Sequence, residues 1–506
     1  MKKNFYVTTP IYYASGDLHI GHTYTTTLAD ILNRFKKSMG METFFLTGSD
    51  EHGQKIETKA KEAGIEPKKY VDEIVKKFKN LWELLDIKYD KFIRTTDDNH
   101  KKSVREIFST LLNKDLIYKG NYEGLYCVSC EEFLIADQID DEGNCKVSQT
   151  KPKMLAEETY FLRVSKFADF LTTLFGNDFL KPDSRKNEMF KNFIEPGLED
   201  LSVTRISLKW GIPTKENPEH VIYVWLDALS NYITALGYPD TNNELFKKFW
   251  SEDTQIVQYV GKEITRFHSI YWPVILNGLG LRMPDKLISH GWILAKDTKM
   301  SKSLGNVIDP IAIINGFSSD ALRFYIAKEL PTERDGNFTE ELFVECFNTN
   351  LANNIGNLIS RTNNMITKYF DGMITSKADL SKHSLTVSGL KLIDDYVQEM
   401  NDFQINKAVD KIMKFSQELN KFIEEEKPWV LEKEGKLEKL AEVLLILQNS
   451  ITIVTHLLAP ILTKSYQDML DQIGFEGKLL SIEELKKNQL TFSKITSRKI
   501  IFERIN

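Results

Sequence analysis

The sequence predicts an α/β chain in which a parallel sheet is interrupted by an insertion and followed by an all-α bundle, and three observations carry that expectation. Apolar runs "FYVTT" (5–9) and "TFFLT" (43–47) flank a stretch, 21–39, where Leu28, Ile31, Leu32, Phe35 and Met39 recur at helical spacing. Strand, crossover helix and second strand form a right-handed β-α-β unit, which makes the two strands parallel. From 115 to 222 the texture turns to short strands punctuated by Gly, Asn and Pro, with no helix–strand alternation, and after 354 it is helical almost throughout.

Taken in order, 10–18 reads as a loop after the first strand, and "GSDEHGQ" (48–54) as the loop after the second. In parallel sheets ligands settle beyond the carboxyl ends of the strands, so both loops are candidate site segments. Alternation resumes after the insertion at "EHVIYVWLDALSNYITAL", continues through "QIVQYVGKEITRFHSIYWPVIL" and "KLISHGWIL", and completes the sheet. The expected divisions are 1–114, 115–222, 223–292, 293–353 and 354–506, more than one hydrophobic core supports.

Composition narrows the classes. With 42% hydrophobic and 27% charged residues the chain reads as soluble and globular, and a formal net charge of −6 does not advertise a nucleic-acid binder, although the sum hides local basic faces. The N-terminus "MKKNFYVTTPIYY" lacks the long apolar segment of a signal peptide, so the expected location is cytoplasmic. The most apolar window, 443–462, is interrupted by Gln448, Asn449, His456 and Pro460, which predicts a buried bundle helix and no membrane span. Four cysteines are too few for a disulfide framework; Cys127, Cys130 and Cys145 fall close together, which suggests a metal site or its remnant, and Cys346 reads as core.

Two short segments carry chemistry. In "GDLHIGHTY" (16–24) His19 and His22 stand three apart at the mouth of the first helix, and Gly21 lets an anion approach the backbone. A helix N-terminus attracts phosphate through its unpaired N–H groups and partial positive charge. In "DTKMSKSLGN" (297–306) Lys299 and Lys302 bracket a polar loop, and two ammonium groups there suit charge developing on a leaving pyrophosphate. Solvated histidines and a solvated lysine loop are the bland alternatives, and finding both segments in one α/β chain argues against them.

His19-Ile20-Gly21-His22 and Lys299-Met300-Ser301-Lys302-Ser303 resemble the two signatures of the class I aminoacyl-tRNA synthetases. The segments "TTPIYYASGDLHIGH", "TGSDEHGQKI", "YVWLDAL", "GKEITRFHSIYWP" and "KMSKSLGNVIDP" resemble the methionyl branch of that family, from about residue 4 to the bundle near 460. The resemblance implies a Rossmann-like catalytic domain with an inserted connective-peptide domain (115–222), a stem-contact region (293–353) carrying the lysine loop, and a helical anticodon-binding domain (354–506). It implies ATP-dependent ligation of L-methionine to tRNA(Met) through methionyl-adenylate, with release of AMP and pyrophosphate and with Mg²⁺ accompanying ATP.

The same resemblance places Ile11, Tyr13, Trp225, Ala228, Tyr232, Ile264 and His268 around the methionine side chain, with Asp50 on its ammonium. That composition suits a flexible thioether, which favours aromatic walls and one carboxylate. Implied for ATP are His19, Gly21, His22, Gly261, Glu263, His290, Gly291, Trp292, Lys299 and Lys302, the first and last pairs of ionisable groups being the catalytic ones. Family members usually carry Asp where this chain has Glu263, which weakens the transfer of a ribose contact. Arg205 is implied as a substrate contact from the insertion, a surface ion pair being the alternative. Asn357, Arg361 and Trp429 are implied as anticodon readers, the alternatives being a cap, a salt bridge and a rim tryptophan.

Relatives' insertions can carry zinc knuckles, and "CVSC" (127–130) with Cys145 begins that pattern, but Ser148 stands where the fourth cysteine belongs. Three thiolates make a poor structural site, so no bound zinc is expected. The chain stops soon after the bundle, without the C-terminal extension that often serves dimerisation, so a monomer is expected. A nucleotidyltransferase without tRNA would be shorter and lack the bundle, and a non-catalytic RNA-binding paralogue would be expected to lose one of the two ionisable pairs. A synthetase for isoleucine, valine or leucine would carry a far larger editing insertion.

Overall fold

Phe5, Tyr6 and Val7 are wholly inaccessible to solvent, and the strand they occupy, Asn4–Thr8, is the centre from which the main sheet is built. The computed structural model describes residues 2–129, 132–134, 138–300, 306–376, 378–475, 477–488, 490–495 and 499–505. In it Asn4–Thr8 lies between Glu42–Asp50 and Thr254–Gly261, parallel to both, and Lys286–His290 follows Thr254–Gly261 in the same direction. Tyr12–Tyr13 and Lys91–Arg94 both pair parallel with Glu42–Asp50. Strands covered on both faces read as continuous apolar runs, which is why "FYV", "TFFL" and "IVQYV" were visible as strands.

Two expectations from sequence are corrected at the strand ends. The second strand does not stop at Thr47 but runs to Asp50, because Ser49 and Asp50 find partners in Tyr12 and Tyr13. The segment 10–18 is accordingly not all loop: it contains the short strand Tyr12–Tyr13. The crossover helix is observed at Ile20–Ser38, one residue earlier at each end than its apolar spacing predicts.

The insertion is built on a long antiparallel pair, Ile117–Cys127 against Lys153–Leu162, flanked by Glu132–Phe133 and Leu201–Ser202. The sequence reads here as short strands without helix–strand alternation. The described residues also include the α-helices Ala168–Gly176 and Asp183–Met189, and between them Leu180–Lys181 joins the main sheet beside Leu287–Ile288. The first helix has Leu171, Leu174 and Phe175 buried at helical spacing, a repeat too short to register as a period.

The chain divides into two compact units, one of Met1–Leu18, Glu42–Trp82 and Lys88–Gly291, the other of His19–Met41, Glu83–Ile87 and Trp292–Asn506. The first holds the main sheet and the insertion. The second holds the crossover helix and a bundle in which Leu437–Leu458 packs against Asn357–Phe370, Ser384–Asn401 and Ile405–Glu426. Leu437–Leu458 is apolar and long enough to cross a membrane, yet 89% of its most apolar window is buried inside the protein, as expected of a core helix. The region expected to be all helix also contains an antiparallel strand pair, Met373–Thr375 with Phe492–Lys494. Gly474 admits it: φ is +66°, and a Cβ there would stand 1.8 Å from the Lys494 carbonyl oxygen.

Candidate active site

In the second unit His19 caps a helix, and His22, in its first turn, reaches back to the cap. His19 is the N-cap, and its Nδ1 accepts the Gly21 N–H at 3.1 Å; His22 Nδ1 accepts the His19 N–H at 3.0 Å. Two orphan backbone donors are thereby satisfied by two imidazoles, a reciprocal arrangement like a capping box. With Nδ1 accepting, the proton of each neutral ring sits on Nε2, so each ring is a donor on its other nitrogen. The rings lie 4.0 Å apart. Gly21 has a local reason as well: a Cβ there would meet His19 Cε1 at 2.9 Å, so glycine makes the room in which that ring folds back.

The lysine segment begins as a tight hairpin in the same unit. Ile293–Ala295 pairs with Thr298–Lys299 across Lys296 and Asp297, both at positive φ, and with Gly336–Phe338 on its other side. Asn337 fixes the turn by accepting the Asp297 N–H at 3.2 Å and donating to its carboxylate at 3.1 Å. Trp292, at the start of this sheet, donates its N–H to Asp335 at 2.9 Å. Lys302 lies outside the described residues. Just beyond it, Ile308 accepts the N–H of Ile20 at 3.2 Å, so the segment that follows the lysines is tied by its backbone to the helix turn that carries the two histidines.

In the first unit, Ile11, Ala228 and Tyr232 belong to one apolar cluster, with the half-buried Trp225 and Ile264 packed against it. Tyr13 and Asp50 are opposite each other in register at the carboxyl end of their strands, and Asp50 is only 8% exposed. His268 sits in a π-helical segment, Phe267–Tyr271, a form frequent at functional sites. Its Nδ1–H donates to the Ile264 carbonyl at 2.9 Å, which leaves Nε2 to accept the Tyr232 hydroxyl at 2.6 Å. The Tyr6 hydroxyl in turn donates to the Tyr232 carbonyl at 2.8 Å. Trp225 stacks face to face on Phe267, 3.6 Å between centroids. Sequence reasoning named Trp225, Tyr232 and His268 but missed Tyr6 and Phe267, whose apolar runs look like plain core.

Burial drives the His268 pKa from 6.5 down to about 4, so the ring is neutral at physiological pH. A folded-state value below the unfolded one means that the neutral ring's contribution is complete above pH 6.5 and is lost as pH falls toward 4. The shift corresponds to about 3 kcal/mol. Equilibrium denaturation at pH 7 and at pH 4.5 is therefore expected to show a smaller acid loss for His268→Gln than for the parent chain; equal losses would contradict it.

Also in the first unit, Gly261 and His290 are register partners at the carboxyl ends of adjacent strands. Glu263 lies two residues beyond Gly261 and is exposed; a Cβ on Gly261 would strike its carboxylate at 2.5 Å. Burial lowers the pKa of His290, whose Nδ1–H donates to the Gly291 carbonyl at 2.7 Å. Gly261, Glu263, His290 and Gly291 thus belong to the first unit, and His19, Gly21, His22, Trp292 and Lys299 to the second.

Arg205 is not on the surface. It is 3% exposed, donates to Ser202 Oγ at 2.7 Å and the Thr204 carbonyl at 2.6 Å, and lies 4.5 Å from the Tyr223 ring centroid. With Gln54, Tyr126, Leu208 and Val224 it lines a cavity of about 140 Å³. Its guanidinium also stands 3.6 Å from Glu157 Oε1, so the ion pair it makes is buried and not on the surface.

At the would-be zinc knuckle Cys127 and Cys145 are buried with Leu134 in a small apolar cluster against which the half-buried Ile139 packs, and Cys130 lies outside the described residues. Ser148 Oγ stands 3.1 Å from Cys127 Sγ and 2.8 Å from Thr150 Oγ1, a hydroxyl cluster where a fourth thiolate would be needed. A hydroxyl is a weak zinc ligand, so this donor set does not fit a structural site. Metal analysis of the purified chain is expected to give far less than one zinc per molecule; a stoichiometric result would overturn this.

In the bundle, Asn357 and Arg361 face Asn420 and Glu424 of the helix Ile405–Glu426, at 3.4 and 2.6 Å. Trp429 is half-buried in the short helix Pro428–Lys433, which follows Lys427 at φ 46°.

Comparison with known proteins gives the family. The family model described as tRNA synthetases class I (M) matches residues 5–145 and 140–363. The methionine–tRNA ligase of Clostridium perfringens is 47% identical over all of this chain and 78% of its own length, and that of Enterococcus faecalis is 47% identical over 96% and 74%. Among solved structures, the Mycobacterium tuberculosis methionyl-tRNA synthetase in complex with methionyl-adenylate superposes with a TM-score of 0.95 at 32% identity, covering 99% of this chain and 100% of the other. The apo form of that enzyme gives 0.88 at 29% identity, covering 100% and 99%.

Proposed function

Since this chain belongs to the class I methionyl-tRNA synthetases, we propose that it activates L-methionine with ATP and transfers it to tRNA(Met). The observation that carries the reading is the helix mouth: two imidazoles that cap it through Nδ1, with the segment following the lysines bonded to its first residue.

The amino-acid carboxylate is already a nucleophile, so the first step needs placement and charge stabilisation rather than a base. It attacks the α-phosphate of ATP, forming methionyl-adenylate and releasing pyrophosphate. In this reading His19 and His22 donate from Nε2 to phosphate oxygens, and Lys299 and Lys302 follow the charge that grows on the leaving group. Gly261, Glu263, His290, Gly291 and Trp292 take the adenosine. Mg²⁺ bound with the triphosphate would offset phosphate charge; among the described residues no cluster of three His, Cys, Asp or Glu side chains would hold it in a cage of its own. In the second step a ribose hydroxyl of the tRNA end attacks the mixed anhydride and AMP leaves.

For methionine, Asp50 takes the ammonium, and Ile11, Tyr13, Trp225, Ala228, Tyr232, Ile264 and His268 surround the side chain. Support comes from the neutral His268, whose Nε2 is engaged by Tyr232: such a wall suits a thioether better than a charged side chain. Arg205, buried and held by its neighbours, serves as a substrate contact from the insertion. Asn357, Arg361 and Trp429 read the anticodon, with the exposed Arg361–Glu424 pair, weak in water, exchanged for contacts to RNA. The divisions at 115–222, 293–353 and 354–506 are kept as the connective, stem-contact and anticodon-binding parts.

Pyrophosphate exchange into ATP, tried with each of the twenty amino acids, tests the reading: methionine is expected to support it best, and preference for leucine or valine would defeat it. The chain acts in this reading as a cytoplasmic monomer, and light scattering at twice the monomer mass would contradict that.

A further inference from the structure

Behind the helix Val224–Thr234 lies a fully buried polar cluster that the reaction as described does not use. Asp227 is 1% exposed and receives two donors: His52 Nδ1–H at 2.7 Å on Oδ2 and His100 Nε2–H at 2.7 Å on Oδ1. His100 Nδ1 then accepts the Thr234 hydroxyl at 2.7 Å. His52 and His100 are themselves 3% and 2% exposed. Burial by itself would push the Asp227 carboxyl up; the two histidines outweigh it and hold it below its ordinary range.

We propose that His52, Asp227 and His100 form a clamp that fixes the rotation of Val224–Thr234 and so positions the methionine-binding face, an inference that rests on the reading of Trp225, Ala228 and Tyr232 as that face. The helical period supports the geometry. Trp225, Ala228 and Tyr232, three and four residues apart, share one side of the helix, whereas Asp227 and Thr234, seven apart, share the other. One imidazole, on the helix Asp98–Asn113, therefore grips Asp227 and Thr234 two turns apart, which resists rotation about the axis better than a single contact.

The second imidazole ties the same carboxylate to the strand end. His52 stands two residues after Asp50, so a single carboxylate links the residue read as the ammonium's partner to the helix read as the side-chain wall. The linkage is stiff because every member is buried and bonded; an unpaired member would cost the full penalty of a buried polar group. All three are positioning residues: none is placed against a substrate.

The test compares His100→Gln with His100→Ala, alongside Asp227→Asn, in methionine-dependent pyrophosphate exchange on the full chain. The Gln amide stands near the Nε2 position and keeps one donor to Asp227; Ala keeps none. For His100→Ala the KM for methionine is expected to rise about 10-fold while that for ATP stays within about twofold, with Gln recovering most of the difference. A fall in kcat that tracks the folded fraction, with both KM values unchanged, would mean that the cluster only stabilises the fold and would overturn the proposal. So would Gln and Ala behaving alike. If Asp227→Asn does not fold, the His100 pair decides alone. A parent chain that fails to exchange with methionine at all would remove the substrate reading, and the clamp's role with it, before any variant is compared.

Discussion

Replacing His22 by Asn is expected to slow adenylate formation by about 10²–10³-fold while leaving the fold intact, because the two nitrogens of that ring do separable jobs. Nδ1 accepts the His19 N–H at 3.0 Å and belongs to the helix cap. Nε2 carries the proton of the neutral ring and is the donor toward phosphate in the proposed reaction. The Asn carboxamide oxygen stands near the Nδ1 position, so His22→Asn keeps the cap acceptor and removes the outer donor. His22→Gln does the reverse, and His22→Ala loses both, adding a cap penalty of about 1 kcal/mol. Single-turnover adenylate formation over a range of ATP concentrations, together with thermal unfolding, separates these effects. In the expected pattern Asn matches the parent in stability and not in rate, while Gln retains more of the rate at lower stability. A variant whose ATP affinity falls by the whole factor, with the saturating rate unchanged, would show that the ring binds the ground state only.

What was legible in the sequence follows from which interactions are local. The crossover helix and the central strands were readable because buried faces repeat with the period of the element, as Leu28, Ile31, Leu32 and Phe35 do. The strand ends were not: Ser49 and Asp50 are strand only because Tyr12 and Tyr13, far away in sequence, pair with them. The helix Ala168–Gly176 and the strand Leu180–Lys181 escaped notice for the same reason, being too short for a period and settled by a partner at 287–288. At the site, residue types were legible and their bonding was not. The motif around His19 and His22 pointed to phosphate, but that each ring spends Nδ1 on the backbone, and thereby fixes which nitrogen is left to donate, is a fact of three dimensions. Phe267 and Tyr6 were invisible because an aromatic that braces a wall and one that fills a core look alike in a string of letters.

Removal of the Arg323 guanidinium is expected to destabilise the second unit by about 3–5 kcal/mol, the largest stability effect foreseen for a single site in this chain. Arg323 is wholly buried, and its hydrogen bonds run to Asp30 Oδ2 at 2.7 Å, to the carbonyls of Pro460 and Ile461 at 2.8 Å each, and to the Leu85 carbonyl at 3.2 Å. Arg323→Met fills much of the space but strands those three carbonyls and takes a charged partner from a carboxylate that is itself 0% exposed. Arg34, bonded to the same Asp30 oxygen at 2.8 Å, remains and keeps the loss toward the lower end of the range. The double change Asp30→Asn with Arg323→Met is then expected to be less harmful than the sum of its parts, since it no longer leaves a buried charge. Equilibrium denaturation followed by far-ultraviolet circular dichroism reads both quantities. Strict additivity would show that the pair is not coupled. The effect should reach function as well, because Asp30 lies in the helix Ile20–Ser38, whose mouth holds His19 and His22, and a misplacement of about 1 Å at reacting groups can cost some 10²-fold in rate. Adenylate formation by Arg323→Met, measured well below its unfolding transition, is therefore expected to fall further than its folded fraction does; activity that simply tracks that fraction would confine Arg323 to holding the unit together.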